Sequence, residues 1–194
     1  MRIVSFAFVA SFVIVGCSKE PPAAAPAQVA SSAPTASAVP AASAAPVASS
    51  ASPGELAVGK PAPSFSAKAH DGVEVSTAAA KGKPMVVYFY PKDETPGCTK
   101  EACSFRDAWK QLAKANVVLV GVSADDDESH KAFAKHHELP FHLVSDKDGS
   151  IAKLFGVPAF GRQSFVIGAD GNVKKIYRTV DVTKHAAEIL ADVQ

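Results

Sequence analysis

Two cysteines, Cys98 and Cys103, have the residue types and setting to do chemistry, and both lie in the stretch Pro91-Lys92-Asp93-Glu94-Thr95-Pro96-Gly97-Cys98-Thr99-Lys100-Glu101-Ala102-Cys103. The stretch follows the continuous apolar run Met85–Tyr90, bounded by Pro84 and Pro91, which suits a central buried strand. It leads into a helical pattern over 98–114. Pro91, Pro96 and Gly97 make a tight loop, so Cys98 falls at or near the first helical position. Unpaired backbone N–H groups and the positive end of the helix dipole there favour the thiolate, the reactive form of cysteine.

Helical geometry separates the two thiols. At about 100° per residue, Cys98, Ala102, Phe105 and Trp109 share one face, which places Cys98 towards the core. Cys103 lies about 140° away, beside Asp107, Lys110 and Lys114 on the polar face. In an intact helix the Cα atoms of i and i+5 are roughly 8.6 Å apart, and a disulfide needs less than about 7 Å. A Cys98–Cys103 bond therefore requires the first turns of the helix to unwind, which suits a switching bond and not a structural one.

Other readings of the cysteines are weaker. In an exported chain a near-surface thiol without a partner is an oxidation liability, which argues against bystanders. A zinc site is not expected, because there is no C-x-x-C, and His130, His136, His137 and His142 read as parts of a solvated helix and loop. The spacing of five, where dithiol exchange uses three, argues against thioredoxin-type chemistry.

The elements that position this stretch belong to residues 54–194, a mixed α/β layered domain in which strand and helix signals alternate. Val117–Val122 reads as a second buried strand. Ser164–Ile167 and Val173–Tyr177 flank the hairpin-turn signal Ala169-Asp170-Gly171-Asn172. Helical periodicity recurs over 127–138 and 183–192, with Asp125–Asp127 and Thr183 or Asp181 as candidate caps. Short pieces around Phe65 and Val73–Val75 read as an added hairpin.

Composition divides the 194 residues into three zones. Residues 1–17 read as a targeting segment: Arg2, then the 13-residue apolar run Ile3–Val15 interrupted by Ser5 and Ser11, then Gly16-Cys17. The run is too short to span a bilayer, and no stretch of about 18 or more apolar residues occurs, which excludes a membrane-embedded helical bundle. Ile14-Val15-Gly16-Cys17 resembles a bacterial lipoprotein signal, which implies lipidation of Cys17 and a membrane anchor in the cell envelope. Ser18 after it leans towards an outer membrane where the cell has one. Residues 21–53 carry 14 Ala, 7 Pro and 7 Ser and no charge. They read as a disordered tether with a flexible-coil span of roughly 30 Å. The domain itself holds 18 basic and 18 acidic residues, which gives no support to nucleic-acid binding.

Tyr90-Pro91-x-x-x-Thr95-x-x-Cys98 resembles the active-site signature of peroxiredoxins. The longer string from Tyr88 through Cys98-Thr99-Lys100-Glu101-Ala102-Cys103-Ser104-Phe105-Arg106-Asp107 is similar to their Q-type, or bacterioferritin-comigratory, subfamily. Gly161-Arg162-Gln163-Ser164-Phe165-Val166-Ile167 is similar to the family strand that opens with its active-site arginine. The resemblance implies a thioredoxin-like fold with an N-terminal β-hairpin extension and a central mixed sheet flanked by helices. It implies a thiol peroxidase acting on hydrogen peroxide and organic hydroperoxides. Cys98 is then the peroxidatic thiolate, and Arg162 the fixed cation that holds it and polarises the peroxide. The Thr95 hydroxyl bonds peroxide and thiolate, and Pro91 shapes the pocket. Cys103 resolves the Cys98 sulfenic acid as an intramolecular disulfide, which a thioredoxin-like donor reduces. No metal, flavin or haem is required.

The family includes monomers and dimers, and a monomer is the expectation here. The segment Phe155–Gly161 ahead of Arg162 is shorter than in many Q-type chains, which bears on substrate preference more than on chemistry. Two other functions use the same cysteines: an envelope thiol–disulfide exchange protein and a non-enzymatic redox sensor. Neither needs the Thr95 and Arg162 that accompany Cys98.

Overall fold

A computed structural model describes residues 56–194; the readings of Cys17, the targeting segment and the tether lie outside them. A short antiparallel hairpin, β1 (Ser66–Lys68) and β2 (Glu74–Ser76), precedes the main sheet. The sheet contains β3 (Met85–Phe89), β4 (Val118–Ser123), β5 (His142–Ser145), β6 (Gln163–Ile167) and β7 (Val173–Tyr177), in the order β5-β4-β3-β6-β7. β3, β4 and β5 run parallel, whereas β6 is antiparallel to both β3 and β7, so the sheet is mixed. Four helices accompany it: α1 (Pro96–Lys114), α2 (Asp127–His136), α3 (Ser150–Leu154) and α4 (His185–Val193). This is the thioredoxin-like α/β architecture that the sequence led us to expect.

β3 is the middle strand, and all five of its residues are buried. Val86 and Tyr88 face one core layer with Phe105, Leu119, Phe133 and Leu143; Met85, Val87 and Phe89 face the other with Val122, Phe155 and Phe165. Covering on both faces is why this strand reads as an unbroken apolar run and not as an alternation. Gly121 of β4 stands opposite Tyr88. A Cβ there would come within 2.7 Å of the Tyr88 ring, so the glycine is what lets the ring lie across β4.

Corrections to the sequence reading have local causes. Asp126 caps α2, its side chain accepting from the Ser129 N–H at 2.9 Å, as expected for the Asp125–Asp127 run. α4, in contrast, begins at His185 with no side-chain cap. Asp181 instead accepts from Thr183 N and Oγ1 and closes the preceding turn. β5 and α3 were not anticipated, because each is only four or five residues long. His142 starts β5, and His130 is wholly buried in α2, so neither lies on a solvated helix face or loop.

Candidate functional site

The strand register brings the site together. Phe89, the last residue of β3, pairs with Gln163, the first of the antiparallel β6. Arg162 therefore emerges where β3 ends and the Pro91–Gly97 loop begins. That loop turns into α1 at Thr95, which is the cap residue with extended backbone, and Pro96 takes the first helical position. Proline is pre-organised for that position and its missing N–H costs nothing there. Cys98 then sits in the first turn, buried, on the face expected from periodicity together with Ala102 and Phe105.

Arg162 holds two acceptors at once. Its Nη2 donates to Cys98 Sγ at 2.9 Å, and its Nη1 donates to Glu101 Oε2. Cys98 and Glu101 are three residues apart on α1, hence one above the other on one helix face, and the planar guanidinium spans them. Burial pulls the Arg162 cation down, but the charge of Glu101 and then its contacts with Cys98 outweigh this and keep it above its ordinary value. The arrangement places a permanent cation and a helix N-terminus against one thiol sulfur, two features that attract negative charge.

Glu101 went unnoticed in the sequence reading, although the i, i+3 spacing from Cys98 was there to be read. It is fully buried, and burial raises its carboxyl to about 7 against the opposing pull of Arg162. Beneath it, His185 Nε2 lies 2.8 Å from Ser164 Oγ and 3.9 Å from Glu101 Oε1. Burial, then the Arg162 charge, lowers His185 to about 4, so it is neutral at ordinary pH.

Thr95 and Pro91 flank the thiol differently. Thr95 Oγ1 donates to the Lys92 carbonyl at 3.0 Å. The hydroxyl pins the loop turn and does not make the expected bond to Cys98, which receives Arg162 instead. Pro91 lines a groove of about 270 Å³ together with Tyr90, Val157, Phe160 and Gly161. Cys98 is not in its wall. Phe160, 77% exposed, closes the short 155–161 segment that leads into Arg162.

Asp93 anchors the loop and was likewise missed, since its partners are distant in sequence. Tyr90 donates from its hydroxyl to Asp93 Oδ1 at 2.7 Å, while Asp93 Oδ2 accepts from Ser129 Oγ and contacts His130 Nδ1, each at 2.8 Å. The Asp93 N–H donates to Asp125 Oδ2 at 2.8 Å. Burial alone would raise the Asp93 carboxyl, but the His130 contact first, then Tyr90 and Ser129, hold it below the ordinary carboxylate range. Removing one partner of a buried pair strands the other. Asp93→Ala is expected to lower stability by roughly 3 kcal/mol. Denaturant unfolding checks this; a change within ~0.5 kcal/mol, as at an ordinary surface site, would show that the network does not brace the loop.

Cys103 is half-buried and Cys98 buried; both are free thiols, and both belong to the unbroken helix α1. Its Sγ lies 4.0 Å from His137 Nδ1. The two thiols are thus held apart by intact helix, and joining them requires its first turns to open.

Comparison with known proteins places the chain in a family. The AhpC/TSA family model matches residues 58–176. The chain is 50% identical to chloroplastic peroxiredoxin Q of Populus jackii over 139 residues, 68% of this chain and 65% of the plant protein. It is 42% identical to the putative peroxiredoxin bcp of Coxiella burnetii over 146 residues, 70% of this chain and 97% of that one. The bacterioferritin comigratory protein of Xanthomonas campestris superposes with a TM-score of 0.64 at 31% identity, covering 66% of this chain and 89% of that one; its structures concern alkyl peroxide reduction activity. The chain belongs to the AhpC/TSA family and, within it, to the peroxiredoxin Q group of thiol peroxidases.

Proposed function

We propose that this protein reduces hydrogen peroxide and organic hydroperoxides through Cys98, with Cys103 as the resolving thiol and a thioredoxin-like dithiol as electron donor. The observation that carries the reading is the 2.9 Å contact from Arg162 Nη2 to Cys98 Sγ in the first turn of α1. An exchange protein or a passive sensor does not need a half-buried cation fixed on that sulfur.

The chemistry balances without a cofactor. The Cys98 thiolate attacks one peroxide oxygen, the O–O bond breaks, and the leaving oxygen departs as water or alcohol after taking up a proton. Cys98 is left as a sulfenic acid. After α1 opens, the Cys103 sulfur displaces its hydroxyl as water and forms the disulfide. A donor dithiol returns both cysteines to thiols and becomes oxidised. The alkyl peroxide reduction activity studied in the Xanthomonas relative supports organic hydroperoxides as a substrate class. The proposal includes a lipid anchor on Cys17 that holds a monomeric domain at the bacterial envelope, on the strength of the Ile14–Cys17 pattern and the charge-free tether.

The test is a peroxidase assay with several dithiol donors, run on wild type and Cys103→Ser. Wild type is expected to turn over. Cys103→Ser should consume one equivalent of peroxide, trap a sulfenic acid at Cys98 and stop. Normal turnover by Cys103→Ser with a thioredoxin-type donor would overturn the resolving role. Reaction of Cys98 with peroxide no faster than free cysteine would overturn the whole reading. Mass spectrometry of the mature N-terminus tests the lipid.

A further inference from the structure

Away from the Cys98–Arg162 pair, the fold assembles a donor set that the peroxidase chemistry leaves unused. Glu94 sits in the loop ahead of α1, with positive φ (57°). His136 is the last residue of α2, and His137 follows as its cap. Glu94 Oε1 lies 3.0 Å from His136 Nδ1, and Glu94 Oε2 lies 3.0 Å from His137 Nε2. One donor atom from each of the three falls within 4.8 Å of the others. From sequence a metal site is not expected, because there is no C-x-x-C and the histidines read as parts of a solvated helix and loop. Their partner is Glu94, 42 residues upstream of His136, and only the fold supplies it.

We propose that Glu94, His136 and His137 form a binding site for a divalent transition-metal cation of the zinc class. Two imidazoles and one carboxylate are the donors that borderline cations take, whereas Mg²⁺ and Ca²⁺ prefer all-oxygen sets. Bonds of about 2.0–2.2 Å in a tetrahedron put donor atoms about 3.3 Å apart. Each imidazole lies 3.0 Å from one of the two Glu94 oxygens, so whichever oxygen binds, one donor separation is already near this value, and His136, two-thirds exposed, is free to turn and adjust the others. The fourth position faces water. Consecutive residues at a helix end ordinarily diverge by about 100°; here both rings converge on one carboxylate, their centroids 4.3 Å apart. His137 is the better-held ligand: its side chain is 16% exposed, and its other nitrogen faces Cys103 Sγ at 4.0 Å. The rival account is a plain hydrogen-bonded His–Glu–His cluster, which binds no metal.

Zinc also binds free thiolates, so the test removes them. The full-length chain carrying Cys17→Ser, Cys98→Ser and Cys103→Ser is titrated with Zn²⁺ by calorimetry, alone and with Glu94→Gln or His136→Ala added. Saturation at one Zn²⁺ per chain is expected, with affinity falling at least ~10-fold in either added variant and no uptake of Mg²⁺. An absence of saturable binding, or equal affinity in the variants, would overturn the site. Neither result depends on peroxidase activity, so the test stands apart from the function proposed above.

Discussion

Peroxide consumption by Cys98→Ser is expected to fall to the background rate of a free thiol, the largest effect of any single change in this protein. Oxygen cannot replace sulfur here. A serine hydroxyl does not ionise near neutral pH, and it has no counterpart to the sulfenic acid that stores the transferred oxygen. The fold should persist, because Cys98 is only two atoms of side chain at the start of a 19-residue helix, and a serine oxygen still accepts from Arg162. Cys103 remains in this variant as an internal control. It lies half-buried beside His137 and has no contact with Arg162. Substantial turnover by Cys98→Ser, at an unchanged melting temperature, would mean that Cys103 is the attacking thiol and that the assignments are reversed.

What the sequence disclosed about this site was local, and what it hid was non-local. The helix start, the inward face of Cys98, Ala102 and Phe105, and the outward offset of Cys103 all follow from a 3.6-residue period, and the structure places them accordingly. β3 was legible because both its faces are covered. β5 was not: its four residues begin with His142 and end with Ser145, and no period can be read from so short a piece. The role of Arg162 rested on resemblance, since only the β3–β6 register brings it to Cys98. Asp93 and His130 were invisible as a pair, because a buried carboxylate on a polar loop and a buried histidine on a polar helix each look like solvated residues until they meet. The Glu94–His136–His137 cluster was hidden in the same way. Thr95 is the reverse case: a motif residue whose hydroxyl proton is engaged by the Lys92 carbonyl in its own turn.

Arg162→Ala is expected to lower kcat/KM for peroxide by roughly 10²–10³-fold, the loss that follows removal of one fixed donor from a site of developing charge. Arg162→Lys should recover little of it, because one ammonium cannot reproduce a fork that spans Cys98 and Glu101. Glu101→Gln separates holding from titration. The amide still accepts from Arg162 Nη1 but carries no charge at any pH. In wild type the Glu101 carboxyl is raised from 4.5 to about 7 by burial. Between those values the folded chain keeps a proton that the unfolded chain has released, so stability contributed by this group is complete below ~4.5 and is lost as pH climbs to ~7. From about pH 5 to about pH 7.5 the unfolding free energy of wild type should therefore fall relative to that of Glu101→Gln. The same proton bears on catalysis. While Glu101 is neutral, the Arg162 charge is left to Cys98; once Glu101 ionises, the two anions share one cation. Glu101→Gln should accordingly keep most of its activity with a flatter pH–rate profile above neutrality, whereas Arg162→Ala should be slow throughout. An Arg162→Ala protein within a few-fold of wild type would remove the cation from the mechanism. A Glu101→Gln profile that tracks wild type would show that Glu101 does not titrate against the Arg162–Cys98 pair.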